Sequence, residues 1–173
     1  MMDILLAGYP LINVLHPRTW APVSEMKKLL GWREWVGLPA LGIPRIKAKV
    51  DTGARTSALH TFRVESLQRE GGGWVRFWVH PLQKDVSQVV ICEAPVMDRR
   101  IVRDSGGHEE RRFVILTDVQ VGDTRWPIEV TLTDRDTMGF RMLLGRTAIR
   151  HGYLVDARRS FLVPAVTDTD QES

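Results

Sequence analysis

Asp51, Thr52 and Gly53 stand where a short alternating segment ends. Ile46, Ala48 and Val50 alternate with Lys47 and Lys49, the period of a strand with one buried face. The chain therefore delivers the Asp51 carboxylate directly into a tight turn. A carboxylate held at such a point can exchange protons with a bound water or substrate. Gly53 permits close backbone approach, and the Thr52 hydroxyl can both donate and accept a hydrogen bond. Asp-Thr-Gly alone is also the composition of an ordinary turn. Its context is more particular. Ala54 and Arg55 follow, and far downstream the apolar run Met142-Leu143-Leu144 is closed by Gly145 and Arg146. The tripeptide occurs once, since Asp123-Thr124, Asp136-Thr137 and Asp168-Thr169 are not followed by glycine.

Other chemistries have weaker signatures. The five histidines, His16, His60, His80, His108 and His151, are scattered and form no His-Glu-x-x-His, so no metal site is expected and no cofactor is implied. The single cysteine, Cys92, lies in Val89-Val90-Ile91-Cys92. It reads as a small core residue of a strand, in a chain that can form no internal disulfide and suits a reducing compartment.

The 173 residues suffice for one domain, and 43% hydrophobic with 26% charged residues is ordinary for a globular chain. Of 24 basic residues five are lysine and 19 arginine. Guanidinium forks suit carboxylates and phosphates, although most surface arginines are simply solvated. Arg55, Arg103, Arg111, Arg112, Arg135, Arg141 and Arg146 flank the motifs. No run reaches the ~18 apolar residues that span a bilayer. The apolar start carries Asp3 and lacks a basic leader, so a cytoplasmic protein without membrane contact is expected.

The elements that must position these residues are almost all strands. Segments 34–39, 43–50, 62–67, 74–80, 87–93, 96–103, 111–116, 119–121, 126–133, 142–144, 153–155 and 160–163 are short, β-rich and divided by Gly, Pro and Asp turns. Residues 146–151 read as one helical turn or slightly more. Many short strands with almost no helical period mean an all-β barrel or sandwich. Trp74, Trp78 and Trp126 read as core or dimer-interface aromatics. Residues 1–30 are expected to be a disordered extension, 31–164 the domain, and 165–173 a disordered acidic tail. Met26-Lys27-Lys28 resembles a natural start, so translation from Met26 is a further expectation.

The two motifs together resemble the retropepsin class of aspartic proteases. More narrowly, the run from Gly31-Trp32-Arg33-Glu34 through Leu38-Pro39-Ala40-Leu41-Gly42-Ile43 to Ala54 is similar to a bacterial family. So are Arg103-Asp104-Ser105-Gly106-Gly107, Thr131-Leu132-Thr133-Asp134-Arg135 and Met142-Leu143-Leu144-Gly145-Arg146. That family is RimB-like and was long labelled ATP-dependent zinc protease; the similarity covers about Trp32 to Leu162. It implies a retropepsin-like acid-protease barrel, one half of a dimeric enzyme, with an extra hairpin between His60 and Pro95 and one short C-terminal helix.

The resemblance also implies roles. Asp51, Thr52 and Gly53 would be catalytic. Leu144, Gly145 and Arg146 would support the loop. Residues 96–116 would form a flap whose tip is Ser105-Gly106-Gly107, with Arg55 and Arg103 meeting substrate. In that class a water sits between two carboxylates about 3 Å apart, which share one proton so that one is acid and the other base. A chain with one Asp-Thr-Gly must then work as a homodimer. Some members are associated with glutamate ligases, which implies a peptide or protein substrate bearing a glutamate-rich tail. The competing expectation is a non-catalytic basic barrel that binds RNA or an acidic protein. Such barrels expose stacking aromatics, whereas the tryptophans here stand in apolar runs, so nucleic acid is not the favoured partner.

Overall fold

Ile43, Ile46, Ala48, Leu38 and Leu144 are fully buried, while Arg45 and Lys49 between them are exposed. That alternation makes the segments strands, because successive side chains leave a pleated backbone on opposite faces. The structure, a computed structural model, describes residues 27–103, 106–107, 109–134, 139–149 and 152–164. In chain order the elements are β1 (Lys28–Gly31), β2 (Arg33–Leu38), a 3-10 turn at Pro39–Leu41, β3 (Ile43–Asp51) and β4 (Ser57–His60). There follow β5 (Arg63–Arg69), β6 (Gly72–Val79), β7 (Val90–Pro95), β8 (Asp98–Arg103) and β9 (Glu109–Val121). The last are β10 (Thr124–Thr133), β11 (Met142–Gly145), the single-turn helix α1 (Arg146–Ile149) and β12 (Tyr153–Asp156).

The principal sheet runs β10-β4-β11-β3-β2-β9-β8, and β9 also pairs with β10. This second pairing, from Thr124↔Val121 to Thr131↔Val114, closes the sheet on itself. Closure satisfies edges that would otherwise be open. The all-β barrel with one short C-terminal helix is therefore present, its interior filled by Ile46, Ala48, Leu59, Ile115, Val130 and Leu144. Each fully buried Ile, Leu or Val among them contributes about 1.5–3 kcal/mol.

The extra hairpin is a three-stranded antiparallel sheet, β5-β6-β7. Val75, Phe77, Val79, Cys92 and Ala94 turn inward and join the barrel core. Trp74 and Trp78 lie on the other face and are only half-buried, so they are not core residues. Period two explains it: a strand that sends Val75, Phe77 and Val79 inward must send Trp74, Arg76 and Trp78 outward. Trp126 is buried, and its Nε1–H donates to the Ala148 carbonyl at 3.1 Å.

Several local expectations shift. β9 is one continuous strand where two were expected, because β8, β2 and β10 together pair along its length. β4 was not anticipated. Lys28 to Leu30, assigned to the extension, pair in parallel with Tyr153 to Val155 of β12, and Leu30 is fully buried. The rest of the extension, residues 1–26, and the tail, 165–173, lie outside the described residues.

Ser160 to Val163 are not a strand, and the reason is Glu34. This side chain is fully buried on β2 and accepts the Leu162 and Val163 N–H groups at 2.8 and 3.3 Å. It also accepts the Gly31 N–H at 2.6 Å. A carboxylate, rather than a neighbouring strand, satisfies that backbone and ties both ends of the domain to one point. Truncation by Glu34→Ala leaves three donors without their acceptor, and buried unsatisfied groups cost about 1–3 kcal/mol each. Urea unfolding of Glu34→Ala is expected to show a loss of about 3 kcal/mol with an unchanged m-value. A loss below about 0.5 kcal/mol would mean the clasp is dispensable.

Candidate active site

The Asp51 loop joins β3 to β4, and β11 lies between those two strands, in the order β4-β11-β3. The pairing is parallel to β3, with Gly145 opposite Asp51 and Leu144 opposite Val50. It is antiparallel to β4, with Leu143 opposite Ala58. The loop therefore straddles the end of β11. Nothing larger than glycine fits there: a Cβ on Gly145 would stand 2.6 Å from the Thr56 carbonyl carbon and 2.8 Å from the Ser57 nitrogen. The Gly145 N–H donates to Ser57 Oγ at 3.1 Å, and Thr131 Oγ1 donates to the Ser57 carbonyl at 3.1 Å.

Asp51 is half-buried at the end of β3. Its Oδ1 accepts the N–H groups of Gly53 and Ala54, at 3.0 and 3.1 Å. These bonds anchor one oxygen and set the plane of the carboxylate. A Cβ at Gly53 would approach Oδ1 to 3.3 Å, tighter than ordinary contact. Behind the loop, Arg146 Nη1 donates to the carbonyls of Thr52 and Gly53 at 3.4 and 3.2 Å. The Arg146 N–H reaches the Ala54 carbonyl at 2.9 Å, and Thr147 donates through Oγ1 to the Arg55 carbonyl at 2.7 Å. Leu144, Gly145 and Arg146 thus pack against the Asp51 loop.

In front lies an open cleft of about 640 Å³. Gly53, Arg55 and Arg103 line it, so three residues singled out in the sequence meet in space. It is also lined by Arg112, one of the arginines noted beside the motifs, and by Arg100, Thr131 and Leu143, which were not assigned to the site. Leu143 follows from alternation: with Leu144 turned into the core, its neighbour must face the cleft. Arg100 and Arg112 are opposite each other on the β8–β9 hairpin, a pairing no linear motif encodes.

Gly106 and Gly107 lie in the turn of that hairpin, Gly107 at φ +83°, a conformation glycine adopts without penalty. Ser105 lies outside the described residues. Three of the four cleft arginines already hold carboxylates of the chain itself. Arg103 binds Glu109 across the hairpin with Nε at 3.0 Å, and Arg112, 8% exposed at its side chain, binds Glu110 at 2.7 Å. Arg100 binds Asp98 and Glu129, and its guanidinium holds the Asp98 carboxyl below the usual range. Arg55 has no carboxylate partner among the described residues.

His60 is buried in β4, and His80 stacks on Phe62 at 4.2 Å with Nδ1 3.1 Å from the Gln88 carbonyl. His16, His108 and His151 lie outside the described residues. Among the described residues no group of three or more His, Cys, Asp or Glu side chains could hold a metal ion. Cys92 is buried, its thiol pushed up to about 12 by that burial, and faces the Leu41 carbonyl at 3.3 Å. It is too inert to act as a nucleophile.

The family model described as retropepsin-like aspartic endopeptidase RimB matches residues 29–165. The chain belongs to the RimB-like family. The match takes in the Asp51 loop, the β8–β9 hairpin and β11 together, which are the parts that build the cleft. A protein named probable alpha-L-glutamate ligase, from Shewanella pealeana, is 45% identical over 150 residues, 87% of this chain but 33% of that protein. One of the same name from Desulfotalea psychrophila is 50% identical over 130 residues, 75% of this chain and 28% of its own. The chain thus spans about a third of the length of these curated relatives. A Legionella pneumophila protein of unknown function has a crystal structure that superposes with a TM-score of 0.65 at 26% identity, covering 78% of this chain and 96% of that one.

For this RimB-like chain the geometry makes one structural demand testable without any substrate. Gly145→Ala forces a methyl group onto backbone atoms that cannot swing away. Overpacking of that kind costs about 1–3 kcal/mol. Chemical denaturation should show a loss in that range, whereas Gly139→Ala, where an added Cβ meets nothing within 4 Å, should be near neutral. Equal stability of the two variants would refute the tight crossing.

Proposed function

We propose that this chain is an aspartic endopeptidase that works as a homodimer, with Asp51 from each copy forming the catalytic pair. The observation that carries the proposal is the anchored Asp51 carboxylate, one oxygen held by two backbone N–H groups beside an open cleft. One such group per chain supplies half of a two-carboxylate site, and a two-fold axis through the loop supplies the other half. One carboxylate removes a proton from the bound water as it attacks the peptide carbonyl. The protonated partner hydrogen-bonds the developing oxyanion, and a proton passes to the leaving nitrogen as the tetrahedral intermediate collapses. The β8–β9 hairpin closes over the substrate and excludes bulk water. The exposed Thr52 and Gly53 present the backbone that meets the second copy. The reaction so written requires no metal. Its setting is the cytoplasm.

The substrate proposed is a peptide or protein tail rich in glutamate. Two features support it. Four arginines line the cleft, and relatives of greater length carry the name of a glutamate ligase. Arg55 has no carboxylate of its own among the described residues, and the guanidinium groups of Arg103 and Arg112 would exchange Glu109 and Glu110 for substrate carboxylates. Such an exchange costs little net charge reorganisation, because one carboxylate replaces another.

Replacing Asp51 by Asn is expected to lower kcat by roughly 10²–10⁴-fold or more, the range that general acid–base groups supply. Circular dichroism and sedimentation should remain those of the wild type. Specific activity should rise with protein concentration as dimers form, and mixing in the Asp51→Asn chain should inhibit the wild type. Full activity in the Asp51→Asn protein, or in a chain shown to be monomeric, would sink the dimeric mechanism. On glutamate-rich peptides Arg55→Ala should raise KM more at low salt than at high salt. An unchanged KM, or equal cleavage of neutral peptides, would reject the acidic substrate.

A further inference from the structure

Carboxylates hold many of the surface arginines. Arg63 holds Glu65, Arg69 and Arg76 share Glu93, Arg125 holds Asp118 and Arg159 holds Asp156. One face gathers four cations that are not held in this way. On the outer side of β2 and β3 lie Arg33, Arg45, Lys47 and Lys49, and among the described residues none of the four has a carboxylate partner. Glu34, the acidic residue of β2, points the other way and is fully buried. Arg33 and Lys49 stand opposite each other in register, as do Trp35 and Lys47. Four like charges on one strand pair repel one another, so the patch is complementary to a polyanion.

The cations are interleaved with rings. Trp35 and Phe161 are stacked, with centroids 5.8 Å apart and planes 22° from parallel. The Arg45 guanidinium lies 3.9 Å from the Trp35 centroid. Lys47 Nζ is 5.1 Å from Trp35 and 5.8 Å from Phe161, and Arg33 is 5.1 Å from Phe161. Phe161 is held at φ +54°, a conformation a bulky side chain rarely adopts. Its N–H donates to the Arg33 carbonyl at 2.9 Å, and this bond fixes the ring onto the patch. Strain kept at an exposed ring is a pointer to function.

We propose that this face binds single-stranded nucleic acid. The stack Phe161–Trp35–Arg45 ends in an exposed guanidinium, a plane on which an unpaired base can continue the stack. Lys47, Lys49 and Arg33 lie alongside to meet phosphates. An acidic peptide offers charge but no ring for the stack. A bilayer needs aliphatic side chains to enter it, and β2 and β3 present no Leu, Ile or Val on this face. A duplex keeps its bases paired and out of reach. None of the four cations lines the Asp51 cleft, although Lys49 stands in register with the cleft residue Leu143; the proposal does not depend on the peptidase reading.

Fluorescence anisotropy with a labelled RNA about 12 nucleotides long, a span one barrel can cover, the DNA of the same sequence and the corresponding duplex tests it. Both single strands should bind saturably at about 0.1 M salt, and the duplex at least tenfold more weakly. A preference for RNA over DNA would add a 2′-hydroxyl contact to the assignment, and parity would leave stacking and phosphates as its basis. With about three phosphates engaged, the slope of log K against log salt should be about −2. Arg45→Ala combined with Lys47→Ala should weaken binding at least tenfold and make that slope shallower by about one, with an unchanged circular dichroism spectrum. Trp35→Leu, which keeps every charge, should also weaken it. The proposal fails if no strand binds below roughly 100 µM, the weak end of non-specific affinity. It fails equally if these variants bind as the wild type does, or if poly-L-glutamate displaces RNA at equal concentration of anionic groups.

Discussion

The crossing of β11 beneath the Asp51 loop is the constraint on which the rest of this structure depends. Two strands joined by a loop are separated by a third, and the third must end in a residue with no side chain because Thr56 and Ser57 pass within van der Waals distance. Once Gly145 is in place, its register with Asp51 follows. The next residue, Arg146, is then placed to hold the Thr52 and Gly53 carbonyls from behind. The carboxylate is set in its plane by a chain of backbone contacts rather than by flexible side chains. Positioning of this kind is fixed by the fold itself.

Barrel closure serves the same end. β9 pairs with β2, β8 and β10, so the hairpin that roofs the cleft is continuous with the wall of the barrel. Its arginines project over the cleft from a strand pair rather than from a loose loop. The terminal segments are secured separately, by the buried Glu34 carboxylate and by the β1–β12 ribbon. One acidic side chain does there what a further pair of strands would do, because a carboxylate can accept several N–H bonds at once.

Charge is distributed unevenly over this frame. Around the cleft, Arg100, Arg103 and Arg112 are matched by the chain's own glutamates and aspartates, which offsets most of its positive charge. On β2 and β3 the cations have no carboxylate partner among the described residues, and Arg33, Arg45 and Lys47 lean against aromatic rings, which lowers the cost of crowding like charges without cancelling them. The tryptophans of β6 belong to a third arrangement, in which Arg69 lies over Trp74 and Arg63 over Trp78 while both arginines remain paired to acids.

Much of this was legible in order along the chain. The alternation of Ile46, Ala48 and Val50 announced the strand that carries Asp51, and the short β-rich segments announced an all-β barrel. The family resemblance of the Leu-Leu-Gly-Arg run implied the partner of the loop. The strand and its turn are local properties, set by the two-residue period of a strand and by the conformational freedom of glycine. What could not be read was decided by side chains meeting across strands. Trp74 and Trp78 stand in an apolar run yet face outward, because only the packing of β6 against the barrel says which of its two faces is inside. Ser160 to Val163 carry a strand's composition, but Glu34, 128 residues before Leu162, takes the N–H groups there. Arg100 and Arg112 became cleft residues through the register of one hairpin. The sequence by itself determined where the Asp-Thr-Gly turn falls and that it occurs once in these 173 residues. Tertiary structure alone decided which arginines line the cleft beside that turn, since long-range pairing brings together residues that no spacing along the chain connects.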